Sequence, residues 1–306
     1  LNIQVAKDIL LIINPNSGHK SVSGLIQFVK KNVCDLDFFV PENGNEADKV
    51  IQNNIEKYNV FILAGGDGTI NKVLPYFIGR KDKILSVFPM GSGNGFAREM
   101  GFTTDFIQLL SNIQNRKSLA VDVIKINNQY SINVAGIGLD GYIAHLFSRQ
   151  KTRGLFKYIS LTLKSLISYR PFYSTLLVNG HLYQGTFLGI TIANSRQFGN
   201  NAFIAPKAWP NDGVFDIILI KPFPFYYYPI FFYKLFAGTL SQNKYVSFLQ
   251  SHNPAEIKTN FQFAHVDGEP LSCDGSIMIE IIPKIIQVLK TEKSELLDPT
   301  NNKLVQ

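Results

Sequence analysis

The stretch Val60–Asn71, VFILAGGDGTIN, constrains this chain more than any other. The apolar run Val60, Phe61, Ile62, Leu63 and Ala64 reads as a buried strand. It stops at Gly65-Gly66-Asp67-Gly68, and Thr69 opens a helical pattern. A strand that turns through glycines into a helix N-terminus aims unpaired backbone N–H groups at one point, where an anion can sit. Without a Cβ, the glycines let the backbone approach that anion closely. The carboxylate of Asp67 would repel a phosphate unless a cation lay between them, so the stretch suggests a Mg²⁺-nucleotide site. The plain alternative is a tight strand-to-helix turn with a solvated aspartate.

The same junction recurs on both sides. Ile9–Ile13 is an apolar strand that ends at Asn14-Pro15-Asn16-Ser17-Gly18, before a predicted helix over Val22–Lys31. It is not a Walker A loop, because Ile13 replaces the first glycine and His19 separates Gly18 from Lys20. A strand at Leu36–Val40 and a helix over Glu46–Tyr58 follow. Ile84–Phe88 is then a fourth strand, running into Pro89-Met90-Gly91-Ser92-Gly93-Asn94-Gly95 and a helix from near Phe96. Such a series places its loops at the carboxyl ends of a parallel sheet, where α/β folds bind ligands.

The texture changes after about residue 118. Val121–Ile126 and Ser131–Val134 flank Asn127-Asn128, and Thr175–Val178 and Leu182 flank Asn179-Gly180, both hairpin signals. Further strands are predicted at Gly189–Ala193, Phe215–Lys221, Ala255–Asn260 and Ile277–Ile282. An amphipathic helical insertion is expected over Leu155–Tyr169, with Leu155, Ile159, Leu163 and Leu166 on one face. Arg149, Lys151, Arg153, Lys157, Lys164 and Arg170 surround it. The expected organisation is an α/β nucleotide-binding domain over 1–126 and a β-rich, antiparallel sandwich-like domain over 127–290. The tail, 291–306, is either peripheral or packed back on the first domain.

At 306 residues, 45% hydrophobic and 17% charged, the chain is long enough for two cores and is not disordered. Its net charge of +7 favours anionic partners, namely nucleotide, nucleic acid or an acidic membrane surface. No dense basic block or nucleic-acid motif is present, so no nucleic-acid partner is expected. Cys34 and Cys273 cannot form a disulfide framework, and a reducing cytoplasm is the expected location. The N-terminal apolar run is broken at Asn14 and Pro15 and reads as no signal peptide. Phe223–Leu240, interrupted by Pro224, Pro229 and Lys234, is short of the ~20 apolar residues of a spanning helix.

NPNSG (14–18), GGDGT (65–69) and PMGSGN (89–94) stand in the order and approximate spacing of the diacylglycerol kinase catalytic-domain family, which includes bacterial soluble lipid kinases and sphingosine kinases. NVAGIGLD (133–140), Asn211-Asp212-Gly213 and Asp267-Gly268-Glu269-Pro270 also resemble the bacterial members. The resemblance runs from about Asp8 to about Leu289. NAD kinases carry GGDGT too, but the full set is far more specific. It implies ATP and Mg²⁺ as cofactors and a lipid as substrate.

On this resemblance, the backbone of Gly65, Gly66, Asp67, Gly68 and Thr69 holds phosphates, and the Thr69 hydroxyl adds a bond. Asp67 acts on Mg²⁺, directly or through water. Ser92 and Asn94 match nucleotide-contacting positions, with Asn14, Ser17 and Asn71 as further candidates. Asp122 matches an acid that supports the same Mg²⁺ network, the alternative being a surface aspartate at a strand edge. Asp212, with the carbonyls of Trp209 and Val214, matches a structural cation site whose oxygen-only ligands suit Mg²⁺ or Ca²⁺. A lipid hydroxyl needs a base, and the resemblance gives Asp267 or Glu269 with equal weight. The alternative is a β-turn in which Asp and Gly serve geometry alone. Asp140 resembles a substrate-proximal acid of sphingosine kinases, where it would face a lipid amine, but capping the following helix is the preferred reading.

The chain departs from the family pattern at Lys72, where an acid is usual, at Gly95, and at Val40-Pro41, where a threonine often stands. These departures put the Mg²⁺ ligands in doubt and favour long-chain bases slightly. Two alternatives stay open: an NAD kinase-like enzyme, which shares GGDGT but which the downstream motifs disfavour, and a catalytically weak lipid-binding or regulatory protein, made credible by Lys72 and the missing threonine. A lipid kinase without a span must work peripherally at an anionic membrane surface. The aromatics Phe223, Phe225, Tyr226, Tyr227, Tyr228, Phe231, Phe232, Tyr233 and Phe236, and the basic stretch 149–170, are candidates for that contact. Oligomeric state is left open, a homodimer being one alternative.

Overall fold

The computed structural model describes residues 3–17, 19–42, 46–150, 162, 164–166, 168–273 and 275–296. The chain divides into two compact units, Leu1–Val121 with Lys284–Gln306, and Asp122–Pro283. The expected edges at 126/127 and 290/291 fall at the end of the strand Ser118–Ile126 and just past the strand Gly275–Leu289.

The first unit is built on a parallel sheet. Ile9–Ile13 pairs with Val60–Ala64 on one side and with Asp37–Phe39 on the other, while Val60–Gly65 pairs with Ile84–Pro89. Every residue of Ile9–Ile13 and Val60–Gly65 is buried, which is why both read as unbroken apolar runs. A late segment closes the sheet, with Gln287 and Val288 lying parallel to Ile84 and Leu85. Helices His19–Asn32, Ala47–Asn54, Asp67–Val73, Gly95–Glu99 and Phe106–Gln114 connect the strands. Asp105 caps the last of these by accepting from the N–H groups of Ile107 and Gln108. The helix predicted over Glu46–Tyr58 ends at Asn54. There the Asn54 carbonyl accepts from both Lys57 and Tyr58 N–H, and its side-chain amide turns back on Val50. Past the sheet, Thr291 and Lys293 bond the carbonyls of Met100 and Arg98, so residues 291–296 pack on this unit.

The second unit is a sandwich of antiparallel strands. In one sheet, Phe172–Val178 lies between His181–Phe187 and Ala255–Thr259, which in turn pairs with Gly275–Ile279. The other has the order Val246–Ser251, Phe215–Ile220, Gly189–Ala193, Val134–Gly138, Phe263–Val266, Glu269–Ser272. Leu176, Ile257 and Ile277 of the first meet Ile190, Ile192, Ile217 and Ile137 of the second in one core. At the predicted Asn179-Gly180 hairpin both residues have positive φ, 51° and 75°, as a two-residue turn of this hand requires. The helix Tyr228–Ala237 presses Phe231 and Leu235 onto the opposite face of the six-stranded sheet, against Ile218, Ile220 and Leu240. The insertion expected over Leu155–Tyr169 lies largely outside the described residues. Among the described residues no helix is long and apolar enough to cross a membrane.

Candidate active site

In the first unit the three strand-to-helix loops are locked to one another. The Asn14 side-chain amide donates to the Thr69 hydroxyl at 2.7 Å, and the Asn14 backbone N–H donates to Ala64 O. Asp67 accepts the N–H of Gly95 at 2.9 Å with one carboxylate oxygen and that of Phe96 at 3.1 Å with the other. Both donors open the helix Gly95–Glu99, so the carboxylate also meets the positive end of that helix. Gly66 and Gly91 touch backbone to backbone, since a Cβ added to Gly91 would lie 2.6 Å from the Gly66 Cα. Only glycine fits there, and the two turns meet because both lack side chains.

Asn94 shapes the third loop from within. Its φ is 50°, a region asparagine tolerates, and its side chain accepts from Gly91 N–H and donates to Gly91 O. Ser92 is exposed, Ser17 and Asn71 are half-buried, and the Ser17 N–H donates to Asn14 O. Thr69 is buried, and its hydroxyl accepts from Asn14, which links two loops and leaves its O–H able to donate. Gly66, at the start of the helix Asp67–Val73, supplies no side-chain cap, which leaves that first turn to the loop backbone. Lys72 is exposed in the last turn of the same helix, a favourable end for a cation.

Replacing Asp67 with alanine strands the buried Gly95 and Phe96 N–H groups and removes one tie between the second and third loops, leaving the Met90 N–H to Gly65 O bond and the Gly66–Gly91 contact. The expected result is ATP binding weakened by about 30- to 100-fold, with about 2–3 kcal/mol lost from the unit's stability. Titration calorimetry with ATP and a melting curve check both, and unchanged ATP affinity would refute the assigned role.

The second unit presents a different constellation. The residues Asp267 and Gly268 turn the hairpin that pairs Val266 with Glu269, with φ of 49° and 84°. The Asp267 carboxylate is buried and accepts four hydrogen bonds. They come from the Ser131 hydroxyl (2.7 Å) and from the N–H groups of Ile132 (3.1 Å), Asn133 (3.0 Å) and Val134 (3.1 Å). So gripped, it has little acceptor capacity left for a substrate proton. Glu269 is half-buried at the start of the next strand, and its carboxylate has no hydrogen bond or ion pair among the described residues. The surroundings of the two acids therefore differ: Asp267 fastens the turn to Ser131–Val134, and Glu269 carries no such bond among the described residues.

His265 backs this turn. Its Nδ1 accepts the Gly268 N–H at 3.2 Å, and its Nε2 lies 3.3 Å from the Asp140 carboxylate. Asp140 also accepts from the Thr191 hydroxyl and from the Gly141 N–H. It lies inside the first turn of the helix Leu139–Ser148, whose N-cap is Gly138 with no side-chain cap bond, so the capping role expected for it is not made.

Asp122 is fully buried, which corrects the alternative of a surface aspartate. Its carboxylate accepts the Gly213 N–H at 2.7 Å, and its own N–H donates to Pro210 O. Asp122 therefore stands against the loop that carries Trp209, Asp212 and Val214. Asp212 accepts from the Val214 N–H. Burial pushes Asp216, on the strand that follows, up to about 6, against the Gln250 hydrogen bond and with a push from Asp212. Among the described residues no three His, Cys, Asp or Glu side chains gather to hold a metal ion. The carboxylates and carbonyls of this loop, like Asp67 with Asn14 and Thr69 in the first unit, are oxygen donors of the kind a hard divalent cation takes. Sequence reasoning missed Ser131, His265 and Thr191, whose partners lie 51 or more residues away in three of the contacts they make.

Known proteins resemble both units of the chain in sequence and fold. Residues 8–126 match the family model described as the diacylglycerol kinase catalytic domain. Residues 133–290 match the YegS C-terminal NAD kinase beta sandwich-like domain. A protein named diacylglycerol kinase from Bacillus subtilis is 28% identical over 220 residues, 69% of this chain and 73% of that protein. The crystal structure of a diacylglycerol kinase from Bacillus anthracis superposes with a TM-score of 0.68 at 19% identity, covering 94% of this chain and 97% of that one. An NAD kinase from Archaeoglobus fulgidus, solved in complex with ATP, shares the fold at a TM-score of 0.55 and 15% identity, over 93% and 94% of the two chains. Two models thus match in tandem, the second alone spanning more than half of the sequence, and the chain belongs to the diacylglycerol kinase catalytic-domain family of lipid kinases.

Proposed function

We propose that this chain transfers the γ-phosphoryl group of ATP to a hydroxyl of a lipid at a membrane surface. The observation that carries the reading is the interlocked cradle of three glycine loops in the first unit. The second unit, taken by itself, offers an uncommitted carboxylate, Glu269, on a braced turn. Phosphoryl transfer needs little covalent chemistry from the protein, and rate comes from holding the phosphates and placing the acceptor. Asn14, Asp67 and the Gly66–Gly91 contact hold the cradle rigid before ATP arrives. Glu269 takes the proton of the acceptor hydroxyl. The acceptor oxygen bonds to the γ-phosphorus as the bond between that phosphorus and the bridging oxygen of ADP breaks. Mg²⁺, when bound, neutralises charge on the β- and γ-phosphates, and Asp67 is the residue that would hold it. Asp212, with the carbonyls of Trp209 and Val214, and with Asp122 alongside, would hold a structural Mg²⁺ or Ca²⁺.

Incubation with Mg²⁺, labelled ATP and a panel of diacylglycerol, monoacylglycerol, phosphatidylglycerol, sphingosine and dihydrosphingosine tests this, with NAD as a further acceptor. Label in one of the lipids is the expected result. Label in NAD alone, or in no acceptor at all, would overturn it.

A further inference from the structure

Of the aromatic residues between Phe223 and Phe236, only some belong to the core. Phe223 and Phe231 face each other with ring centroids 5.2 Å apart, and Phe231 and Leu235 are buried against the six-stranded sheet. Phe225, Tyr226 and Tyr233 are 68%, 75% and 73% exposed, the most open aromatics in the molecule's described part, and Ile230 and Phe236 are exposed with them. Ile230, Tyr233 and Ala237 follow one another at helical spacing on the outer stripe of Tyr228–Ala237, and the short turn Phe225–Tyr227 leads into it. The helix is therefore apolar on both faces, which in water calls for a second apolar contact.

The charged residues within this stretch of sequence are of one sign. Between Asp216 and Glu256 the sequence has no acidic residue at all, while Lys221, Lys234 and Lys244 fall within that span. Lys221 and Lys244 are exposed, and the Lys234 ammonium is held at 3.0 Å by the Gln242 carbonyl just past the helix. A tyrosine and phenylalanine surface with a polar tip on some rings, edged by cations, matches the headgroup layer of a bilayer. A second copy of this chain is a poor occupant, since a two-fold contact would bring the same lysines together with no acid to meet them.

We infer that the outer face of Phe225–Ala237, with Lys221 and Lys244, is the surface by which this protein sits on an anionic lipid bilayer. The inference rests on the membrane-surface reaction proposed above and names the part of the molecule that makes the contact. Tyr226, Ile230, Tyr233 and Phe236 enter the headgroup zone, and each lysine near an anionic surface strengthens the partition about five-fold.

The test is flotation of the full chain without ATP, on phosphatidylcholine vesicles and on vesicles with about one-third phosphatidylglycerol. The parent protein is expected to float with the anionic vesicles at low salt and to be released as salt rises. A Tyr226→Ser, Tyr233→Ser, Phe236→Ser variant is expected to lose binding by about ten-fold or more while melting like the parent, because these side chains project into water. A Lys221→Glu, Lys244→Glu variant is expected to lose a similar factor on anionic vesicles only. A parent that does not float, a triple variant that floats unchanged, or self-association by light scattering that disappears in the triple variant would each overturn the assignment. Binding and turnover fail separately. A chain that floats but labels no lipid defeats the proposed reaction and leaves this surface standing, whereas one that labels detergent-dispersed lipid without floating does the reverse.

Discussion

Glu269→Gln will lower kcat by about two to four orders of magnitude, the usual contribution of a positioned proton acceptor. The KM for ATP will stay near that of the parent, and the melting temperature will move by no more than about 1–2 °C, as at a surface site without partners. The reason lies in what each carboxylate of the Asp267–Glu269 turn already holds. Glu269 has no bond or ion pair to lose among the described residues, so exchanging it for its isosteric amide removes a base and nothing structural. Steady-state kinetics with the lipid identified by the acceptor panel, beside a melting curve, measure both halves. A Glu269→Gln enzyme with near-parental kcat would end the assignment.

Asp267→Ala will show the opposite pattern. It removes the common acceptor of a hydroxyl and three backbone N–H groups inside the second unit, and these donors have nowhere else to go. Leaving a set of buried donors unmet costs about 3–5 kcal/mol, a fall in melting temperature of roughly 10 °C for a unit of this size. Asp267→Asn will be milder. Its remaining carbonyl oxygen can still serve Ser131, Asn133 and Val134, while its amide nitrogen faces the Ile132 N–H it cannot accept. Thermal and urea unfolding of the two variants give the comparison. Activity per folded molecule in Asp267→Asn should stay well above that of Glu269→Gln. Loss of activity in Asp267→Asn at full stability would make Asp267, and not Glu269, the base.

The glycine loops were legible because their chemistry is backbone chemistry. A run of apolar residues ending in Gly65-Gly66-Asp67-Gly68 can be read as a strand feeding a helix without knowing any partner. What Asp67 does could not be read that way. Its acceptor bonds go to N–H groups 28 and 29 residues on, and a sequence shows a carboxylate but not its donors. The different surroundings of Asp267 and Glu269 were hidden for a related reason. A spacing of two puts side chains on one side of an extended segment, but the positive φ of Asp267 and Gly268 turns the chain between them, and Asp267 is buried while Glu269 is half-buried. Asp122 read as evenly balanced between surface and site because one acid in an apolar strand fits both, and only the loop that closes over it decides. In the aromatic stretch, composition could not say which rings face the sheet.

The division of the chain also bears on how it is made. The parallel strand that flanks Ile84–Leu85 is contributed by Gln287 and Val288, about two hundred residues further along. A ribosome therefore releases the whole of Asp122–Pro283, itself an uninterrupted segment with mostly local hairpins, before the first unit can receive its last parallel pairing. Closing so long a loop is slow, and the edge of Ile84–Pro89 waits meanwhile with unpaired backbone groups. The later-synthesised unit is thus the one able to fold first, and the sheet beneath the glycine loops is completed only after it has been made.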